Sequence, residues 1–275
     1  MESILNVALV IGVLILAYAL IFRPRILTWG ASEDEVEMPL IGDDLAHNIS
    51  ATRAISINAP IDVVWKWVIQ LGADRGGFFS YTFLERALGY KMRDADIVPE
   101  FDNMEVGRVV SGSIDETNSS LNYNFPVVAV EPGEYFVLDG WGAFVLKEIS
   151  PTQTRLIVRT HWKKTPSLLS KIDKFIGSAL HYLMEGRMLI GFKAQSEMGS
   201  GVRLSPTLDY FWVLGLILSA LGIASIVFFG EGVQHIFISI ILGIFWLYAF
   251  LIINPRSIIS PLLSLVTIAT AVWLY

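Results

Sequence analysis

The stretch TRLIVRTHW, residues 154–162, concentrates more polar chemistry than any other part of this chain. As a strand it alternates, with Arg155, Ile157, Arg159 and His161 on one face and Leu156, Val158, Thr160 and Trp162 on the other. Arg159 and His161 together could hold a carboxylate or phosphate head group, and His161 with Tyr81 could serve acid–base chemistry. Two registers are open. With the Leu156 face packed inward, the basic face is solvated. With the register reversed, Arg159 and His161 project inward, and a buried arginine then demands an acidic partner such as Glu85 or the ligand itself.

A second concentration is aromatic. RGGFFSYTFLERALGY, residues 75–90, places Phe78, Phe79, Tyr81 and Phe83 directly after two glycines. Either they plug a core or they line a space meant for something else.

Other chemistries are excluded. His47, His161, His181 and His235 show no metal-ligand spacing, so no metal is expected. The chain has no cysteine, which rules out thiol nucleophiles, Cys-ligated zinc and disulfides. There is no GxSxG elbow. Residues 72–77, GADRGG, lack the Lys-Ser/Thr ending of a phosphate loop. No cofactor is expected.

The elements that must position these residues follow from periodicity. ATRAISINAP reads as a strand stopped by Pro60, and PIDVVWKWVIQLG as a helix with Val64, Trp65, Val68 and Leu71 on its apolar face. A second short helix runs from Ser80 to Leu88, with Phe83, Leu84, Ala87 and Leu88 as its expected buried face. Strands are expected at 107–113, 120–131, 134–139, 142–150 and 154–162, joined by short turns as an antiparallel meander. Residues 167–197 read as one long helix. Its apolar stripe is Leu168, Leu169, Ile172, Phe175, Ile176, Ala179, Leu180 and Leu183, with Lys171, Lys174 and Arg187 off it. An α+β domain satisfies this order: an antiparallel sheet curved around a long C-terminal helix, with room for a cavity between them.

The 275-residue chain is 53% hydrophobic, and four apolar runs account for much of that: 4–22, 208–229, 233–253 and 257–275. Each approaches the ~20 residues a helix needs to cross a bilayer. The expected organisation is a transmembrane helix at 1–22, an acidic linker at 23–50, the α+β domain at 51–200 and three transmembrane helices at 208–275. The first run carries no Lys or Arg before it, which argues for an anchor rather than a cleaved signal. By the positive-inside rule, Arg23, Arg25, Arg203 and Arg256 predict that the domain lies on the cytoplasmic side. Glu33, Asp34, Glu35, Glu37, Asp43 and Asp44 make the linker a solvated acidic stretch. Residues 23–207 hold 19 basic and 23 acidic side chains, which excludes a nucleic-acid platform.

The strand–helix pair ATRAISINAP-IDVVWKWVIQLG resembles the opening of the SRPBCC superfamily. That is the helix-grip fold of START lipid-transfer domains, Bet v 1-like proteins and polyketide cyclase-like proteins. RPRILTWGASEDEVEMPLIGDDL, RGGFFSYTFLERALGY, DADIVPEF and MEGRMLIGFK are similar to an uncharacterised, often membrane-associated bacterial subgroup, over residues 23–193. The resemblance implies a cavity for a hydrophobic ligand, with Trp65, Phe78, Phe79, Tyr81, Phe83, Arg159 and His161 as its lining. The bacterial resemblance also implies the plasma membrane of a prokaryote, and the expected function is a membrane-anchored module binding a lipid or other hydrophobic small molecule. An enzyme of cyclase or dehydrase type using Tyr81, Arg159 and His161 is the alternative. A structural or partner-sensing module with a filled cavity is the third.

Overall fold

The computed structural model describes residues 2–45, 49–93, 103–114, 124–161, 168–198, 206–252 and 258–274. The chain forms two compact units, Met1–Ile26 with Ser205–Tyr275, and Leu27–Leu204.

In the first unit, α1 (Glu2–Ala17) continues through a π-helical turn, Tyr18–Phe22, into α2 (Arg23–Leu27). Among the described residues three helices are long and apolar enough to cross a membrane: Ile4–Leu27, Thr207–Phe229 and Gln234–Leu251. The fourth apolar run forms a shorter helix, Ile259–Leu274, of 16 residues. Small residues let the C-terminal helices approach closely. A side chain at Gly215 would strike Ser260 and Pro261, and one at Gly222 would strike Thr267. The indole of Trp212 donates to Ala249 O and that of Trp246 to Leu216 O.

The second unit is mixed α+β. Its chain order is α3 (Glu33–Glu37), β1 (Ile49–Ile57), α4 (Ile61–Val68), α5 (Thr82–Ala87), β2 (Val109–Ser111), β3 (Asn124–Glu131), β4 (Tyr135–Leu138), β5 (Gly142–Ser150), β6 (Gln153–His161) and α6 (Leu168–Met198). The strands form one antiparallel sheet in the order β1-β6-β5-β4-β3-β2. The expected strands at 107–113, 134–139, 142–150 and 154–162 are recovered to within two residues, apart from Trp162, which lies outside the described residues. So do the motif at 94–101, the turn at 115–118 and residues 120–123.

One face of the sheet packs against α4 and α6. Ile57, Phe136, Leu138, Phe144, Leu146, Leu156 and Val158 meet Val64, Trp67, Val68, Met188, Leu189 and Phe192 in one buried cluster. The apolar stripe expected on the long helix is rotated from the real one. Ile172, Ile176 and Leu180 are exposed, Leu180 by 58%, while Tyr182, Glu185, Arg187, Met188, Leu189 and Phe192 are buried. Apolar residues stand on more than one flank of this helix, and the sheet selects the flank bearing Tyr182 and Phe192, together with the polar Glu185 and Arg187. The second short helix is rotated too: Ala87 and Leu88 are exposed, and Glu85 is buried.

The opposite face is covered by residues 28–45, the stretch expected as a solvated acidic linker. It is a folded strap. Ser32 caps α3 in a reciprocal box with Glu35, and Trp29 O accepts the N–H of Ala54 on the edge strand. Gly30 lies so close that any side chain there would overlap Ala54 O. Ala54, Val137, Ala143 and Ile157 are buried beneath it.

Candidate functional site

The register of β6 decides the fate of the predicted site. Thr154, Leu156, Val158 and Thr160 face α6, and Arg155, Ile157, Arg159 and His161 face the strap. The inward orientation of Arg159 and His161 is therefore not adopted, yet the basic face is not solvated either. Arg159 is buried and its guanidinium is saturated. Nε donates to Thr52 Oγ1 at 3.1 Å, Nη1 to Met38 O at 2.8 Å and Asp43 Oδ2 at 2.7 Å, and Nη2 to Glu35 O at 2.8 Å and Val36 O at 2.9 Å. Its acidic partner is Asp43, not Glu85. His161 Nε2 lies 3.3 Å from Asp43 Oδ1. Arg155 grips the same strap through Glu35 at 2.7 and 2.8 Å and through Gly30 O. That hydrogen bond holds the Glu35 carboxyl below its ordinary range.

The aromatic cluster divides. Phe79 is buried between Trp67 and Phe192, at ring separations of 6.1 and 4.7 Å. Its φ of 55° lies in the left-handed region that only glycine enters freely. The strained turn fits because α6 offers Gly191: a Cβ there would come within 2.5 Å of Phe79 O. Tyr81 is 2% exposed, with Arg187 over its ring at 6.0 Å. Phe83 packs edge-on to Tyr81 and is half-buried. Trp65 packs edge-on to Phe136 at 6.2 Å. The neighbouring GADRGG stretch closes on itself through reciprocal Gly72–Gly77 backbone bonds. Tyr81 and the β6 pair thus lie on different sides of the sheet, and the structure does not bring them together.

It brings together a different set. Trp141, on the tight turn between β4 and β5, is half-buried, with Phe125 5.0 Å, Phe144 5.5 Å, Phe78 6.0 Å and His181 6.3 Å from its ring. Phe78 and Phe125 are half-buried as well. Beneath them lies an ion pair. Arg53 Nη1 meets Glu185 Oε1 at 2.6 Å, with both side chains 1% exposed. Glu185 Oε2 accepts from the Trp141 indole at 3.1 Å and from Thr160 Oγ1 at 3.0 Å.

His181, one helical turn before Glu185, stays 28% exposed, with Nδ1 3.3 Å from Arg53 Nη1 and Nε2 3.6 Å from Glu185 Oε2. Burial, aided by Arg53 and opposed by Glu185, lowers the affinity of His181 for a proton. Glu185 stays below the ordinary carboxylate range: burial pushes it upward, and Arg53, His181 and the Trp141 indole outweigh that. Arg53 also lies over the ring of Tyr182 at 5.3 Å, whose phenol burial pushes up to about 12.

Of the predicted lining, only Phe78 belongs to this set. Arg53, Trp141, His181 and Glu185 were missed. A legible signal existed for two of them: His181 and Glu185 stand four apart and so share a helix face.

Among the described residues no group of acidic or histidine side chains could hold a metal ion. No family model matches the chain, and no curated protein matches it. Solved structures are similar at low level, two of them as follows. The protein SSP2350 from Staphylococcus saprophyticus is 13% identical, with a TM-score of 0.30, over 56% of this chain and 96% of that one. EF2215 from Enterococcus faecalis, a conserved protein of unknown function, is 15% identical, with a TM-score of 0.32, over 55% of this chain and 73% of that one. Likenesses this distant carry no argument about function.

Proposed function

We propose that this chain is a membrane-anchored protein whose α+β domain binds a hydrophobic ligand, with the domain on the cytoplasmic side and the fold a helix-grip of the SRPBCC kind. The carrying observation is Trp141: a half-buried ring among Phe78, Phe125 and Phe144 whose indole N–H reaches a fully buried carboxylate. Ligand sites combine apolar and aromatic walls with a few fixed polar groups, and this set has that composition. One antiparallel sheet with a 31-residue helix on its face supports the helix-grip reading. Apolar helices at both chain ends would keep the domain within reach of bilayer molecules.

Organic extraction of the full chain purified in detergent, followed by mass spectrometry, tests this. A discrete apolar species should co-purify with the wild type and fall by about tenfold or more in Trp141→Ala, with bulk membrane lipid unchanged. Identical extracts from the two proteins would remove the reading.

A further inference from the structure

The site's charges are balanced within itself, and that selects a ligand class. At its base stand one guanidinium, Arg53, and one carboxylate, Glu185, 2.6 Å apart. The third titratable group is His181. With Arg53 Nη1 donating to Nδ1, the ring proton sits on Nε2, facing Glu185, and the imidazole is neutral. Burial favours that same uncharged form near neutral pH.

The remaining buried arginines of the domain, and the half-buried Arg155, are turned elsewhere. Arg155 and Arg159 serve the strap across the sheet. Arg187 reaches Phe79 O and the Tyr81 ring, and its field acts on Glu85. Arg75 donates to Ile69 O. The partners of these four arginines thus lie away from Trp141, Phe78 and Phe125, and the charged groups that meet Trp141 and His181 are Arg53 and Glu185. An anionic head group there would lose its water and meet a pair already neutralised, which is unfavourable.

Resting on the ligand-binding reading above, we propose that this site takes a ligand whose polar end carries no net charge, an alcohol, ester or carbonyl on a long apolar or flat aromatic body, and discriminates against carboxylates and phosphates. His181 is the group that meets the polar end, because it alone of the three titratable groups is open to solvent. Its Nε2–H can be shared with an incoming oxygen. Trp141, Phe78 and Phe125 take the body through stacking and apolar contact.

Photo-crosslinking with three probes tests this. Each carries the same diazirine-bearing hexadecyl chain, and they end in a hydroxyl, a carboxylate or a phosphate. The full chain in lipid nanodiscs is labelled at about pH 7.5, where an unperturbed imidazole is already mostly neutral, and the labelled peptides are mapped. The hydroxyl probe should label peptides holding Phe78, Phe125 or Trp141 about tenfold more than either anionic probe, the equivalent of about 1.4 kcal/mol. His181→Arg adds a permanent charge at the half-open position and leaves Arg53 and Glu185 in place, so it should shift the ranking toward the anionic probes.

Equal or stronger wild-type labelling by the carboxylate or phosphate probe would overturn the neutral-ligand assignment and leave the ligand site standing. An unchanged ranking in His181→Arg would do the same. If none of the three probes labels these peptides, the ligand site itself falls, and the assignment with it.

Discussion

The two faces of the sheet each bury an arginine, and they use it oppositely. On the strap face, Arg159 is saturated by three carbonyls, a hydroxyl and a carboxylate, and all but one of these come from residues 35–43. On the helix face, Arg53 meets the carboxylate of Glu185, the imidazole of His181 and the ring of Tyr182, beside aromatic rings that remain partly open. The first arrangement fixes a backbone. The second stores a balanced pair of charges under an accessible surface. Burial of an arginine therefore does not mark a site; what satisfies it does. Backbone carbonyls indicate a clamp, and side chains beside half-open rings are the arrangement on which the proposed ligand site rests.

Three variants break or sharpen the contrast. Glu185→Ala should have the largest effect, because it leaves Arg53 charged, fully buried and without its carboxylate; removal of one partner of such a pair costs about 3–5 kcal/mol. Denaturant unfolding would show it as a fall in midpoint. An unchanged midpoint would mean that Arg53 can reach water, and the helix face would lose its buried character.

Arg159→Met should cost less, on the order of 2–3 kcal/mol, since Asp43 is 21% exposed and the freed groups of the strap can rehydrate. The telling readout is limited proteolysis, with cleavage between residues 28 and 45 appearing before the sheet unfolds. Loss of the whole domain at once would show that strap and sheet are a single cooperative unit.

Glu85→Gln should be the smallest of the three and the one that depends on pH. Burial raises the Glu85 carboxyl to about 7, with Arg187 and Arg86 opposing. The folded state therefore binds more protons than the unfolded state between about 4.5 and 7. The stability held by the neutral form is full below that window and lost as pH rises through it. The variant should match wild type at about pH 4, below the window, and exceed its stability by about 2 kcal/mol at about pH 8, above it. A difference that is the same at both values would mean that Glu85 is solvated in the fold.

The fold was more legible than the site, for physical reasons. Strand β5 could be read to the residue and α6 to within one, because alternation and helical spacing are local signals. Which face of α6 turns inward was not local. Ile172, Ile176 and Leu180 form a stripe as good as that of Tyr182, Leu189 and Phe192, and only the sheet decides between them. Six acids in a row of short polar segments looked like a linker, since charge density argues for water unless cations are waiting. The cations were visible as Arg155 and Arg159 on one strand face, with Ile157 between them, and so was the Ser32–Glu35 cap. The ion pair at the base of the site joins residues 132 apart in the chain, and no spacing rule reaches that far.

The strap has a consequence for how the domain is made. It lies at the start of the domain, and its clamps, Arg155 and Arg159, lie near the end, 116 residues from Asp43 to Arg159. Strand β1 likewise waits for β6, with Thr52 and Arg159 107 residues apart. During synthesis the apolar helix that leads into the strap emerges before it, and the strap's bonds to Arg155 and Arg159 cannot form until almost the whole sheet has been made. Contacts of such long sequence separation place the domain among slow folders, on a scale of about milliseconds to seconds rather than microseconds. Through that interval the apolar residues of the outer sheet face, Ile157, Ala143 and Val137, have no cover, and that is when the chain is most exposed to misassembly.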